Sequence, residues 1–291
     1  VNADYTTELY VNGISADTSS DTIIPTNLTS DIYIGANTAP DRYWDGLIDQ
    51  VRFYTRPLTP TEITSLYNDG YKIELNETSA KGGGYIHGYT MDDISGSIVN
   101  DDIGSQNGTA SDVTYLNGKV GDTGVFNGSS SKIDIGSPSD FSRTVKSANG
   151  CSYECWVYFN AWASGTPDIV LHDANGWDCA MGSLGTGIIY AQKYDGASRV
   201  VQSSGHSLDT WYHLVYNLYS NYSMELFIDG SSVGTNLGTD IPSDGGTHGM
   251  FLGRHYIAGW NSNVLIDQVR FYTRPLSSYE IINLYNKGNG C

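Results

Sequence analysis

Basic residues are scarce in this chain, with 15 Lys and Arg against 32 Asp and Glu and a formal net charge of −17 over 291 residues. A phosphate-binding surface needs clustered Lys and Arg, so the balance argues against nucleic acid as a partner. An anionic membrane surface would repel the chain for the same reason. No apolar run approaches the roughly 20 residues of a membrane span, so membrane insertion is not expected. Metal and nucleotide motifs are also missing: there is no H-E-x-x-H, no Walker loop, no EF-hand and no C-x2-C. The segment Gly230–Gly234, GSSVG, fits G-x-S-x-G, but it lies between strand-like runs, whereas a nucleophile elbow must open a helix. No secretory leader is visible, and the opening at Val1 suggests a mature product or a segment of something longer.

Glycine, tyrosine and small polar residues are abundant, with 34 Gly and 22 Tyr, a composition that favours short strands and tight turns. Hydrophobic residues make up 39%, enough for a sizeable core. Runs such as KIDIG, CSYECWVYF, GIIYAQKY, WYHLVYNLY and MELFIDG are separated by Gly, Asn, Asp and Ser. That pattern predicts an all-β antiparallel sandwich, with inward faces drawn from Tyr153, Leu214, Tyr216, Leu226, Ile228, Val269 and Phe271.

The chain also repeats itself. LIDQVRFYTRPL at Leu47–Leu58 recurs unchanged at Leu265–Leu276, an offset of 218. ELYVNG (Glu8–Gly13) mirrors ELFIDG (Glu225–Gly230), and IYIG (Ile32–Gly35) mirrors MFLG (Met250–Gly253). Each long match is followed by a helical patch, with Thr59 or Ser277 as N-cap and Glu62 or Glu280 three residues on. Residues 1–72 therefore correspond to the last third of a unit and 73–291 to one complete unit, a domain-sized duplication. A lone final third would expose a core face and unpaired edges, so either neighbouring repeats or copies of the chain are expected to cover it.

Four cysteines allow disulfides and an extracellular setting. On a strand, Cys151 and Cys155 would lie about 13 Å apart, beyond the roughly 7 Å that a disulfide spans. Two pairings remain, Cys151–Cys179 with Cys155–Cys291, or Cys155–Cys179 with Cys151–Cys291. The second is preferred because Cys179 lies in the next strand-like run. Free thiols are the alternative. Asn27, Asn76, Asn107, Asn127 and Asn221 head N-x-S/T sequons, which permit glycosylation in a secreted chain.

In order along 73–291, GYIHGYTMDD, GKVGDTGVFNG, CSYECWVYF, TWYHLVYN, MELFIDG, FLGR and IDQVRFYTRPLSSYEI resemble LamG-like domains, the laminin-G/concanavalin A-like jelly rolls. Residues 1–72 resemble the final third of such a domain. The resemblance implies a two-sheet jelly roll used in adhesion, glycan binding or architecture, usually without catalysis. Glucanases of this fold carry acids at E-x-D-x-x-E spacing, and no such triplet is present, so no catalytic residues are expected.

Alternation through LIDQVRFY places Leu265, Asp267, Val269 and Phe271 on one face, which would bury Asp267. Calcium is a candidate partner, with Asp101, Asp102 and Asn107 as further ligands, because first and last strands are neighbours in jelly rolls of this type. An ion pair with Arg270 or Arg274, or turn amides, would serve equally. Trp162, Trp177 and Trp260 lie in turn-rich segments and could stack on sugar rings, or else anchor loops over the sandwich rim. The sequence thus points to a non-catalytic extracellular structural or adhesive protein of LamG-like repeats, a subunit of a glycosylated surface filament. A carbohydrate-binding module of a glycan-processing enzyme is the alternative.

Overall fold

The computed structural model describes residues 6–12, 14–19, 33–36, 43–44, 46, 48, 51, 53–54, 57–60, 63, 84–92, 94–164, 166–175, 178–237, 242, 247–257 and 259–288. The chain divides into two compact units, Val1–Asn76 and Glu77–Cys291.

In the first unit, β1 (Thr7–Val11) and β2 (Ile14–Ser19) pair as an antiparallel hairpin. Asn12 takes φ 54 at its turn, a left-handed conformation that Asn tolerates better than most residues. Ala36 and Tyr43 form an isolated antiparallel bridge. Ile63 donates its N–H to the Thr59 carbonyl at 3.0 Å, the first helical bond of the patch expected there. Glu62, the other half of that expected cap, lies outside the described residues.

The second unit opens with β3 (Tyr85–Tyr89), β4 (Ile94–Ser95), β5 (Ile98–Val99), β6 (Gly108–Ser111), β7 (Thr114–Asn117), β8 (Asp122–Asn127) and β9 (Lys132–Gly136). After α1 (Arg143–Asn149) come β10 (Cys151–Phe159), β11 (Asp168–Asn175), β12 (Cys179–Gly185), β13 (Ile188–Tyr194), β14 (Ser198–Ser204) and β15 (Trp211–Leu218). The unit closes with β16 (Met224–Ile228), β17 (Ser231–Asn236), β18 (Thr247–Leu252), β19 (Asn263–Tyr272) and α2 (Ser278–Gly288). One sheet has eight strands in the order β17-β16-β15-β10-β19-β8-β7, with β3 also on β19; the other runs β14-β13-β12-β11-β18-β9-β6-β5-β4. All the pairings are antiparallel. This is the expected antiparallel jelly-roll sandwich.

Period-two alternation fills the space between the sheets. Tyr153, Leu214, Tyr216, Leu226, Ile228, Val269 and Phe271 all lie in the main core. Tyr153 stacks on Tyr216 at 5.5 Å, and Phe271 meets Tyr153 edge-on at 6.0 Å. Such ring pairs add to the burial gain.

The alternation breaks once, and it breaks at Asp267. Trp156 of β10 faces Asp267 and Glu154 faces Arg270, so two residues of β19 stand against Cys155 alone. Gln268 absorbs the extra residue with φ 51. Val264 and Ile266 therefore point inward before the bulge, and Val269 and Phe271 after it. Leu265 and Asp267 face outward, which corrects the expectation that Asp267 shares a face with Val269. Asp267 is nevertheless fully buried, because the turn before β8 covers it: its Oδ2 accepts the N–H of Lys119 at 2.8 Å and of Val120 at 2.9 Å. Burial pushes its carboxyl up to about 6 while those amides pull the other way.

Helix α2 follows a realised capping box. Ser277 Oγ accepts the Glu280 N–H at 3.3 Å, and Glu280 Oε2 accepts the Ser277 N–H at 2.9 Å. The helix covers the outer face of the eight-stranded sheet, stacking Tyr285 on Trp156 at 5.7 Å. On the same sheet, Glu154 accepts from Arg270 Nη1 at 2.7 Å and contacts His213 Nε2 at 3.1 Å. Burial alone would raise the Glu154 carboxyl; Arg270 and His213 more than offset that and hold it below the ordinary range.

Helix α1 has no apolar stripe and was not expected. Its buried residue is Lys146, whose Nζ reaches Asp173 Oδ2 of β11 at 2.6 Å. Tyr153 donates its hydroxyl to the same oxygen at 2.6 Å. A charge pair, not a hydrophobic face, fixes this helix.

The expected disulfides are not formed: Cys151, Cys155 and Cys179 are buried free thiols, and Cys291 lies outside the described residues. Cys151 faces the Tyr153 hydroxyl at 3.5 Å and Cys179 the Tyr216 hydroxyl at 3.8 Å. Cys155 and Cys179 stand on opposite sheets, and facing sheets pack about 10 Å apart. Burial raises all three thiols, Cys151 to about 12, so they stay protonated and unreactive.

Candidate functional site

The proposed calcium ligands do not form one set. Asp101 Oδ1 accepts the N–H groups of Gly88 (3.0 Å), Ile103 (3.3 Å) and Gly104 (2.9 Å). Its Oδ2 takes the Gln106 N–H at 3.0 Å and His87 Nδ1 at 2.7 Å. Asp102 Oδ2 accepts the Thr90 N–H, and Asn107 Oδ1 accepts the Asp101 N–H. These oxygens are spent on shaping the loop after β5, while Asp267 caps the separate turn before β8. Among the described residues, Asp101, Asp102 and Asp267 do not gather into one cluster of ligand atoms, and Asp267 Oδ1 has no partner.

The sequons and tryptophans separate as well. Asn107, Asn127 and Asn221 are exposed, and the Asn221 side chain accepts from both the N–H and the hydroxyl of Ser223. Asn27 and Asn76 lie outside the described residues, as does Trp177. Trp162 packs against the main core with its ring 5.1 Å from Phe159, in the role of a rim anchor. Trp260 packs over the outer face of the other sheet.

That face is the outer side of the nine-stranded sheet. Since Cys179, Met181, Ile189 and Ala191 point into the core, Ala180 and Tyr190 point out. Strand register carries the pattern across: Phe251, His172, Ala180, Gln192 and Val200 lie opposite one another from β18 to β14. A neighbouring row holds Ile169, Gly182, Tyr190 and Gln202. Gly182 is required here because a Cβ would strike the Asp168 carbonyl oxygen.

The loop after β18 folds over this floor. Its neck is closed by the Ser262 N–H to Gly253 carbonyl bond at 3.0 Å and the Arg254–Asn261 bridge. Inside the neck, the His255 N–H donates to the Trp260 carbonyl at 2.9 Å. The loop thereby presents His255, Tyr256 and Trp260. Trp260 packs on Ile169, Ala180 and Tyr190, and His255 stacks on His172 at 3.9 Å. Tyr256 stacks on His248 at 4.5 Å. Histidines that look scattered in sequence are brought together: His172, His248 and His255 share one aromatic cluster.

His172, Asp178 and His255 each offer a ligand atom within 4.8 Å of the others. The protons argue against using them on a metal. His255 Nδ1 accepts the Ile257 N–H at 3.0 Å, so the neutral ring carries its proton on Nε2 and has no lone pair to spare. His172 Nε2 pairs with Asp178 Oδ1 at 3.0 Å. Burial, then the neighbouring His172, push His255 down to about 3, which keeps it neutral.

Among the described residues, three buried polar atoms here have no partner: His172 Nδ1 and the Tyr190 hydroxyl on this face, and Asp168 Oδ2. Burial, then the Asp168 charge, raises the Tyr190 hydroxyl. Native structures rarely leave such groups orphaned, and each costs about 1–3 kcal/mol. Burial pushes Asp168 up to about 7. Its raised folded-state value means it favours folding at low pH and that this contribution is lost as pH rises toward 7. Asp168→Asn is accordingly expected to raise the melting temperature by an amount that grows from about pH 4 to about pH 7 and then levels off. Thermal scans at a series of pH values measure this; a gain that does not change with pH would contradict it.

Apolar floor, aromatic plates and unsatisfied donors and acceptors are what a small polar molecule with apolar faces requires. Sequence reasoning found Trp260 but not Asp168, His172, Tyr190 or His255. The alternation around GIIYAQKY could have placed Tyr190 outward; the rest depends on strand register.

The family model of the concanavalin A-like lectin/glucanases superfamily, of laminin-G type, matches residues 1–64 and 127–282. No curated protein sequence matches the chain. Among solved structures, the binding domain of Paraclostridial Mosquitocidal Protein 1 is similar with a TM-score of 0.54 at 15% identity, covering 70% of this chain and 52% of that one. Domain 4 of AbnA, a GH43 extracellular arabinanase from Geobacillus stearothermophilus solved with arabinotriose, gives 0.52 at 19% identity, covering 69% of this chain and 98% of that one. Trypanosoma rangeli sialidase in complex with sialic acid gives 0.52 at 15% identity, covering 71% of this chain and 33% of that one. The chain thus spans about half of the first of these proteins and a third of the last. At these identities the likeness is one of fold.

Proposed function

Since the chain belongs to the concanavalin A-like lectin/glucanase superfamily, we propose that its second unit binds a neutral oligosaccharide on the outer face of the nine-stranded sheet. The observation that carries this is the set of orphaned buried polar atoms, His172 Nδ1 and the Tyr190 hydroxyl on this face and Asp168 Oδ2, together with the half-buried Trp260. Once the loop carrying Trp260 shifts to admit a ligand, sugar hydroxyls would supply the missing partners, and the C–H face of a ring would stack on the indole. A net charge of −17 disfavours acidic glycans and selects neutral ones. The arabinotriose on a domain of this fold supports a carbohydrate ligand and makes arabinotriose the first probe.

We read the site as binding rather than catalytic. Asp178 is tied to His172, and Asp168 is buried, which leaves no open pair of carboxylates for glycoside hydrolysis among these residues. The module would work outside the cell, attaching its chain to a glycan surface; the extracellular arabinanase domain supports that setting. The filament role expected from the repeats has no observation here in its favour.

Isothermal titration with arabinotriose and a panel of neutral and sialylated oligosaccharides tests the reading. Trp260→Ala should weaken binding about tenfold, the worth of one stacking contact. Tyr190→Phe should weaken binding while slightly raising the melting temperature, because it deletes a hydroxyl that the free protein leaves unsatisfied. Equal affinity of wild type and both variants would overturn this site.

A further inference from the structure

Among the described residues, the hairpin and the bridge of the first unit copy those of the second. The β1–β2 hairpin carries its bulge between Leu9 and Tyr10, and β16–β17 carries one between Leu226 and Phe227. Asn12 at φ 54 mirrors Asp229 at φ 51. The Ser15 hydroxyl donates to Glu8 Oε1 at 2.6 Å, as Ser232 does to Glu225 Oε1 at 2.5 Å. The bridge Ala36–Tyr43 mirrors Arg254–Asn261. Trp44 N–H bonds the Gly35 carbonyl at 2.8 Å, as Ser262 N–H bonds that of Gly253 at 3.0 Å, with the two glycines at φ 74 and φ 76.

Burial does not follow. Leu9 is 59% exposed where Leu226 is 0%, and Phe53 is 69% exposed where Phe271 is 0%. Val11, Val51 and Tyr54 are exposed, against buried Ile228, Val269 and Tyr272. Two stretches of the same design thus sit in opposite environments. The second unit shows what does the covering: β15 pairs with β16, placing Tyr216 opposite Leu226, and β10 pairs with β19, placing Tyr153 opposite Phe271. Among the described residues, β1 pairs only with β2. Exposed apolar side chains in such number mark an interface.

We propose that the first unit is the closing part of a second sandwich, completed by an opening strand set patterned like Tyr85–Leu218 that runs ahead of it on the same polypeptide. The occupant must be a strand set of that pattern, because the exposed side chains keep the sequence, bulge and register that fit one. It must be a set not already paired, because β10 and β15 of this chain are engaged by β19 and β16. The link would be short, since β15 passes to β16 through residues 219–223 alone. The protein would then be an array of laminin-G-like units in tandem.

The test places a copy of residues 77–218 ahead of Val1 and follows amide hydrogen exchange by mass spectrometry in the extended and original chains. Peptides covering 7–19 and 43–54 should exchange about a hundredfold more slowly in the extended chain, as paired core strands do. Phe53→Asp in the extended chain should abolish that protection and leave the second unit's peptides unchanged. Equal exchange in both chains would overturn the proposal, as would an added run that stays unprotected itself. Protection that rises with concentration in the original chain would also overturn it, in favour of a second copy as the occupant.

Discussion

Replacing Phe271 by alanine is expected to destabilise the second unit by about 3–5 kcal/mol, while the same change at Phe53 moves that unfolding transition by less than about 0.5 kcal/mol. The two phenylalanines sit in the same twelve-residue sequence, so propensity and neighbours in the chain cannot separate them. Environment does. Phe271 meets Tyr89, Phe141 and Tyr153 edge-on in the core, and its removal leaves a cavity that three rings cannot close. Phe53 faces solvent. Urea denaturation followed by circular dichroism measures both. Equal losses at the two positions would mean that the first unit already buries its apolar face in the isolated chain.

The second large effect concerns a buried charge. Lys146→Met is expected to cost about 3–5 kcal/mol, because it leaves the Asp173 carboxylate in the core without its cation. Lys146 and Asp173 are both fully buried, and the Tyr153 hydroxyl shares the same carboxylate oxygen. Adding Asp173→Asn to Lys146→Met should recover more than half of the loss, since the amide removes the uncompensated charge and can still accept from Tyr153. Denaturant midpoints of the two single variants and the double variant close the cycle. A double variant no more stable than Lys146→Met would show that packing of α1, and not the charge pair, is what the lysine supplies.

Strands and core were legible because their signal is local. Period-two alternation put Tyr153, Leu214, Tyr216 and Leu226 inward, and the pairing of Ser277 with Glu280 announced α2. Asp267 was misplaced because a single bulged residue, Gln268, reverses the alternation, and nothing in LIDQVRFY marks it. Helix α1 was missed because its buried residue is a lysine, whose partner Asp173 lies 27 residues away. The cysteines were judged by spacing along one strand, whereas Cys155 and Cys179 belong to opposite sheets. The site was the least legible part. Its floor joins β11, β12, β13 and β18 through strand register, and its cover is a loop whose aromatic residues gain meaning only once the sheet lies beneath them.

Chemical-shift mapping of the labelled chain against arabinotriose and other neutral oligosaccharides tests glycan binding most directly. The predicted result is a contiguous set of shifts at Asp168, His172, Tyr190 and the loop from Arg254 to Trp260, saturating with ligand and lost in Trp260→Ala. Shifts confined to the eight-stranded sheet, or no shifts with any neutral sugar at about 10 mM, weaker than a millimolar complex would allow, would contradict it.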